Sequence, residues 1–203
     1  MRRVAIADLN ASPEELAGLQ SLLARGGVAA IPTETFYGLA ADPRSLEGVS
    51  RVFRSKGRDD GKPLPVVFAT PEQLGRLGAA VAEDVLARYL ELWPAPLTVV
   101  LRLSEPIAAS RDRPNLAVRI PACPELVVLL ETIGPVTATS ANRSFEPPAS
   151  DPDEVSRIFE GAIDLLVDGG HTPGGRPSTL LDATVDPPLL LRPGAFPWPA
   201  RRL

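Results

Sequence analysis

Short apolar runs alternate along the chain with stretches whose apolar positions recur every three or four residues, a pattern that interleaves strands with amphipathic helices. The runs at 2–7 (RRVAIA), 28–32 (VAAIP), 64–69 (LPVVFA), 97–103 (LTVVLRL), 116–120 (LAVRI) and 135–139 (PVTAT) predict strands, as do 163–167, 178–183 and 188–192. Helical signals fall between them. Ser12 caps a helix with Pro13 in its first position and Glu15 placed to close a capping box. Leu16, Leu19, Leu22 and Leu23 share the inner face of that helix, and Gly26-Gly27 stops it. Residues 45–54 predict a helix with Leu46, Val49, Val52 and Phe53 inward. Further helices are predicted from Thr70-Pro71, over 79–92, near 124–132 and from Asp151-Pro152 to about 160. The sum is an α/β fold over 1–203: one domain with a twisted, mostly mixed β-sheet flanked by helices, and a short irregular tail at 194–203.

Composition narrows the function. The 21 basic and 25 acidic residues leave a net charge of -4, which argues against broad electrostatic capture of nucleic acid but allows a local basic patch. The single cysteine, Cys123, excludes an intramolecular disulfide framework and predicts a cytoplasmic protein. Asp8 breaks the first apolar run, so the N-terminus does not read as a signal peptide, and no apolar run reaches the ~18 residues of a membrane span. With one histidine, His171, a zinc site of the usual ligands is not expected, and any Ser-His-Asp triad would have to use it.

Of the 21 cationic side chains only two are lysines, and both fall in the loop at 56–62 (KGRDDGK). Lysine offers a compact ammonium where arginine offers a planar fork, so a chain this rich in arginine retains lysine where a point charge is wanted. Arg54, Lys56, Arg58 and Lys62 could form an anion cradle, most naturally for phosphates. With Asp59 and Asp60 among them, the same loop could equally be a solvated surface. Its glycines lack P-loop spacing, so side chains would do the binding.

Four other segments carry polar groups next to predicted strands. Residues 32–39 (PTETFYGL) place two threonines, a carboxylate and a phenol at a strand end, where ligand crevices of open α/β sheets form. Residues 138–144 (ATSANRS) supply small hydroxyls and an amide, as ordinary turns also do. Residues 174–182 (GGRPSTLLD) and 191–194 (LRPG) place Ser178 at a strand start and Arg192 at a strand end. Arg119 stands inside the apolar run LAVRI, where an arginine either snorkels at an edge or faces a polar cavity.

In this order PTETFYGLA, KGRDDGKPLPV, APLTVVL, LAVRIP, TATSANRS, GGRPSTLLD and LRPGAF resemble the YrdC-like domain of threonylcarbamoyl-AMP synthases, over about residues 12–196. The resemblance implies a twisted α/β sheet with a concave, basic cleft. It implies a nucleotidyltransferase that joins L-threonine, bicarbonate or CO2, and ATP into threonylcarbamoyl-AMP and pyrophosphate. A tRNA threonylcarbamoyl-transfer machinery would use that product. By position, Thr33, Tyr37, Arg119, Ala138 and Ser178 are similar to threonine-binding positions. Lys56, Arg58, Lys62, Thr139, Ser140, Asn142 and Arg192 are similar to ATP-binding ones, with Lys56 and Arg58 the candidate catalytic pair. Mg2+ would arrive with the triphosphate, without a dedicated protein metal site. The chemistry agrees: a carboxylate suits a guanidinium fork, and charge building on the α-phosphate and leaving pyrophosphate suits clustered cations.

The chain departs from the family pattern at three places. Phe36 replaces the usual valine, Ser144-Phe145 stands where Ser-Gly is usual, and Val66-Val67-Phe68 lacks a histidine that some members carry. An RNA-binding module with weak affinity for a duplex backbone is the competing reading from another class; a carbamoyl-transfer relative of the same fold is the competing enzyme.

Overall fold

The computed structural model describes residues 1–57, 61–80 and 83–198. Its first half runs β1 (Arg2–Ala5), α1 (Ile6–Ala11), α2 (Pro13–Ala24), β2 (Ala29–Ile31), β3 (Gly38–Ala40), α3 (Leu46–Lys56), β4 (Val66–Val67), α4 (Pro71–Arg76) and α5 (Glu83–Leu90). The second half adds β5 (Leu97–Arg102), β6 (Asn115–Arg119), α6 (Pro124–Ile133), β7 (Val136–Thr137), β8 (Thr139–Ser140), α7 (Pro152–Ile158), β9 (Leu165–Asp168), β10 (Thr179–Asp182) and β11 (Leu189–Arg192). The class is mixed α/β, but the strands divide between two mixed sheets instead of forming one. Five strands run β1-β9-β2-β3-β8 and six run β11-β10-β5-β6-β4-β7.

Local chemistry sets many boundaries. Ser12 Oγ accepts from the Glu15 amide at 3.2 Å and starts α2. The capping box is only half made, because the Glu15 carboxylate pairs with Arg2 at 2.6 Å instead. Ser45 Oγ caps α3 through the Gly48 amide, and Gly57 ends it in the left-handed region at φ 64°. Leu46, at the first position of that helix, is exposed and not inward. Asp151 caps α7 through the Asp153 amide at 2.7 Å.

Packing sets the rest. Alternate residues of β2 face opposite ways: Ala30 joins a core shared by both sheets, while Ala29 and Ile31 join a second core with α1, α2 and α6. Strands covered on both faces read as continuous apolar runs. Residues 2–7 predict one strand, yet the ladder stops at Ala5 and α1 follows, because Ile6 and Leu9, three apart, drop into the second core. Of the predicted helix at 79–92, the described residues form α5 over Glu83–Leu90, and Ala79 instead bridges Leu103. The predicted strand at 135–139 splits. β7 pairs with β4 in one sheet, β8 pairs with β3 in the other, and only Ala138 lies between them.

Candidate functional site

Residues from both sheets line a cavity of about 400 Å³. The five-stranded sheet and its β2–β3 turn contribute Thr33, Thr35, Tyr37, Gly38, Thr139 and Ser140. The six-stranded sheet and its connections contribute Lys62, Val66, Ala117, Arg119, Ser178 and Arg192, and Ala138 sits at the crossover. A larger and more open depression of about 930 Å³ is lined by Arg44, Glu105, Arg111 and Asp112 among others, whose opposite charges offset one another. The smaller cavity holds the candidate chemistry. Among its described lining residues there are three cations, Lys62, Arg119 and Arg192, and no carboxylate.

Arg119 ends β6, an interior strand held between β4 and β5. It therefore does not snorkel at an edge; its residue is 7% exposed and faces the cavity. Burial lowers its pKa, and the nearby Glu34 carboxylate, 3.2 Å from Nη1, opposes that shift. Arg192 ends β11 and donates from Nη2 to the Ser178 carbonyl at 2.9 Å; burial, then repulsion from Arg119, lowers its pKa too. Ser178 Oγ lies 2.8 Å from Thr98 Oγ1, so two buried hydroxyls face each other across β10 and β5. The segment behind this corner is held tightly. A Cβ on Gly194 would meet the Pro177 carbonyl oxygen at 2.3 Å and the Thr179 nitrogen at 2.4 Å, so only glycine fits there.

On the opposite wall, Thr33 Oγ1 donates to the Phe36 carbonyl at 2.7 Å and lies 3.1 Å from Thr35 Oγ1. Tyr37 is fully buried, and its phenol donates to the Gly170 carbonyl at 2.7 Å while accepting from the Gly169 amide at 3.1 Å. Burial pushes the phenol up to about 12, so it stays protonated across the neutral range. Its one proton belongs to Gly170, which leaves Tyr37 a wall of the cavity and not a donor into it.

The lysine loop differs from its sequence reading. Arg58 lies outside the described residues. Lys62 lines the cavity. Lys56 is 3% exposed and outside the cavity lining, with its ammonium turned onto the 140–142 turn. Nζ donates to the Ser140 carbonyl at 2.5 Å, the Asn142 carbonyl at 3.0 Å and Asn142 Oδ1 at 2.9 Å. Three acceptors converging on one point suit an ammonium and not a planar fork, which explains lysine here. Asn142 is likewise built into the turn: Oδ1 also accepts from Ser140 Oγ at 2.6 Å, and Nδ2 donates to the Arg143 and Glu146 carbonyls. Ser140 and Thr139 remain on the cavity wall; Asn142 stands behind them.

Phe145, where the sequence comparison expects glycine, adopts φ 71° and is fully exposed. A β-carbon in the left-handed region is strained, and no buried area compensates it. Phe145→Gly should therefore raise stability by roughly 1 kcal/mol, seen as a higher urea midpoint with an unchanged slope. His171 is on the surface, 3.6 Å from Asp151, and outside the cavity lining. Two residues in or beside the cavity had no individual role assigned from the sequence. Thr98 showed only as a polar residue in an apolar run, and Glu34 only as an acid in a polar turn.

Two mixed sheets that share a cavity lined by hydroxyls and three cations define the class, a mixed α/β fold. The chain belongs to the Sua5/YciO/YrdC family, whose model, described as telomere recombination, matches residues 21–194. It is 39% identical over 175 residues to a Pyrococcus abyssi protein named threonylcarbamoyl-AMP synthase, covering 85% of this chain and 52% of that one. It is 38% identical over 168 residues to one of the same name from Thiobacillus denitrificans, covering 81% and 89%. The crystal structure of P. abyssi Sua5 complexed with L-threonine superposes with a TM-score of 0.82 at 35% identity, covering 95% of this chain and 56% of that one. The chain thus spans about half the length of its P. abyssi relative. Among the described residues, no helix is long and apolar enough to cross a membrane.

Proposed function

We propose that this chain forms threonylcarbamoyl-AMP and pyrophosphate from L-threonine, bicarbonate or CO2, and ATP. The observation that carries the reading is the cavity itself. A buried guanidinium, paired hydroxyls and two further cations line one space, in a fold that superposes on a threonine-bound relative. In this proposal Arg119 grips the amino-acid carboxylate, and Thr33 and Ser178, backed by Thr98, surround the substrate hydroxyl, with Ala138 and Tyr37 as walls. The amine becomes a carbamate whose oxygen attacks the α-phosphorus. The bond to the β-phosphate breaks, and pyrophosphate leaves. Lys62 and Arg192, with Thr139 and Ser140, form the phosphate side, where cations stabilise charge as it develops. Lys56 and Asn142 serve that side by holding the 140–142 turn, and Arg58 belongs to the same assignment. Since the described lining offers no carboxylate, Mg2+ would enter on the triphosphate as part of the substrate. A cytoplasmic role supplying a tRNA threonylcarbamoyl-transfer machinery completes the proposal, with residues 1–203 making one domain that ends in a short irregular tail at 194–203.

Mass spectrometry after mixing the protein with ATP, threonine and bicarbonate should detect threonylcarbamoyl-AMP; its absence under turnover conditions overturns the reading. Substrate choice gives a finer check. A pocket that bonds a hydroxyl discriminates against an analogue lacking it; with Thr33 and Ser178 already held by protein partners, the loss is that of one or two hydrogen bonds, so valine should be used roughly ten- to a hundredfold less efficiently than threonine. Comparable kcat/KM for the two amino acids would remove the threonine assignment while leaving the ATP chemistry intact.

A further inference from the structure

Glu34 lies in the turn between β2 and β3, and its neighbours Thr33 and Thr35 line the cavity while it does not. Its side chain is 8% exposed, the same as that of Arg119. Oε1 approaches Arg119 Nη1 to 3.2 Å, yet neither carboxylate oxygen has an aligned hydrogen-bond donor. The contact is electrostatic, not a bidentate fork. A buried carboxylate so poorly supplied with donors is unfavourable, and burial raises its pKa with only partial relief, first from Arg119 and then from its own backbone amide. The groups bearing on it are Arg119, the Cys123 thiol and, beyond Arg119, Arg192. Such a charge reduces the net pull that Arg119 exerts on whatever occupies the cavity.

That reduction falls unequally on different ligands. A zwitterion brings a carboxylate that Glu34 repels and an ammonium that Glu34 attracts, so its binding changes little. A bare carboxylate or a small inorganic anion feels the repulsion alone. Resting on the proposed amino-acid role of the cavity, we infer that Glu34 is a specificity-determining residue: by partly neutralising Arg119 from outside the cavity wall, it makes this subsite take α-amino acids and refuse simple carboxylates and phosphate-like anions. It also keeps Arg119 from holding the triphosphate or its pyrophosphate product, which leaves those to Lys62 and Arg192.

The test compares L-threonine with 3-hydroxybutyrate, which keeps the carboxylate and hydroxyl and lacks the amine. Calorimetry on the wild type should show threonine bound more tightly. Glu34→Gln should narrow the ratio of the two constants by about tenfold, or about 1.4 kcal/mol, mainly through tighter 3-hydroxybutyrate binding. Glu34→Asp should keep the wild-type ratio within about threefold. The wild type gives an independent readout that needs no variant. Because burial raises the Glu34 pKa, acidification should protonate it above the usual carboxylate range and narrow the ratio as the glutamine does. A Glu34→Gln variant that weakens both ligands equally, with a wild-type ratio indifferent to pH, overturns the inference and leaves Glu34 a structural counter-charge. A wild type that binds no threonine instead overturns the amino-acid reading of the cavity, and this inference with it.

Discussion

Arg119→Lys should weaken threonine binding by about ten- to a hundredfold, the loss expected for one or two charge-assisted hydrogen bonds, while changing the ATP constant by less than about threefold. Lysine keeps the charge opposite Glu34 but cannot present two parallel N–H groups to a carboxylate. The site is also unforgiving of a poor fit, because Arg119 is 7% exposed and its position is fixed by the strands around it. Calorimetry with each ligand separately reads both constants. Unchanged threonine affinity alongside weakened ATP binding would move Arg119 to the nucleotide side and reverse the division of the cavity. The variant should retain most of its stability, since the buried positive charge and its 3.2 Å partner are both kept.

Lys56→Met should lower the rate of synthesis by about two to three orders of magnitude, the usual consequence of losing one organised electrostatic element. It should also lower stability, by roughly 1.5–3 kcal/mol, the net worth of a hydrogen bond to a charged donor. The two effects share a cause: without the ammonium, the Ser140 and Asn142 carbonyls and Asn142 Oδ1 lose the group that draws them together. Lys56→Arg should restore little of either, because a flat guanidinium cannot reach three acceptors that converge on a point. Turnover assays and urea titration on both variants check this. A Lys56→Met protein with wild-type stability and low turnover would mean that Lys56 touches phosphate directly and does not act through the turn.

Local chemistry in this chain was legible, and long-range partnership was not. Ser12, Ser45 and Asp151 announce their helices because a cap needs only a hydroxyl or carboxylate near the following amides. The apolar runs at β2, β5 and β6 announce strands for a similarly local reason. β3 stayed hidden because Gly38, Leu39 and Ala40 have no β-branched or alternating pattern; β2 on one side and β8 on the other make it a strand. The division into two sheets was equally invisible, since it turns on one alanine between Thr137 and Thr139. The site divides in the same way. Scarcity of lysine marked position 56 as wanting an ammonium, but the acceptors lie more than 80 residues away. Thr33, Arg119, Ser178 and Arg192 were recoverable from motif order, whereas Glu34 and Thr98 take their meaning only from what they face.

The crossover at Ala138 has a mechanical consequence. A molecule lodged in the cavity would touch one sheet through Thr33 and Ser140 and the other through Arg119 and Ser178, and would act as a removable bolt between two plates joined directly at that point by a single residue. A bolt held at a hundred times its dissociation constant adds about 2.7 kcal/mol to the work of unfolding the whole. Substrate supply would then govern the endurance of the protein as well as its output, and a starved chain would be the first to open and be degraded.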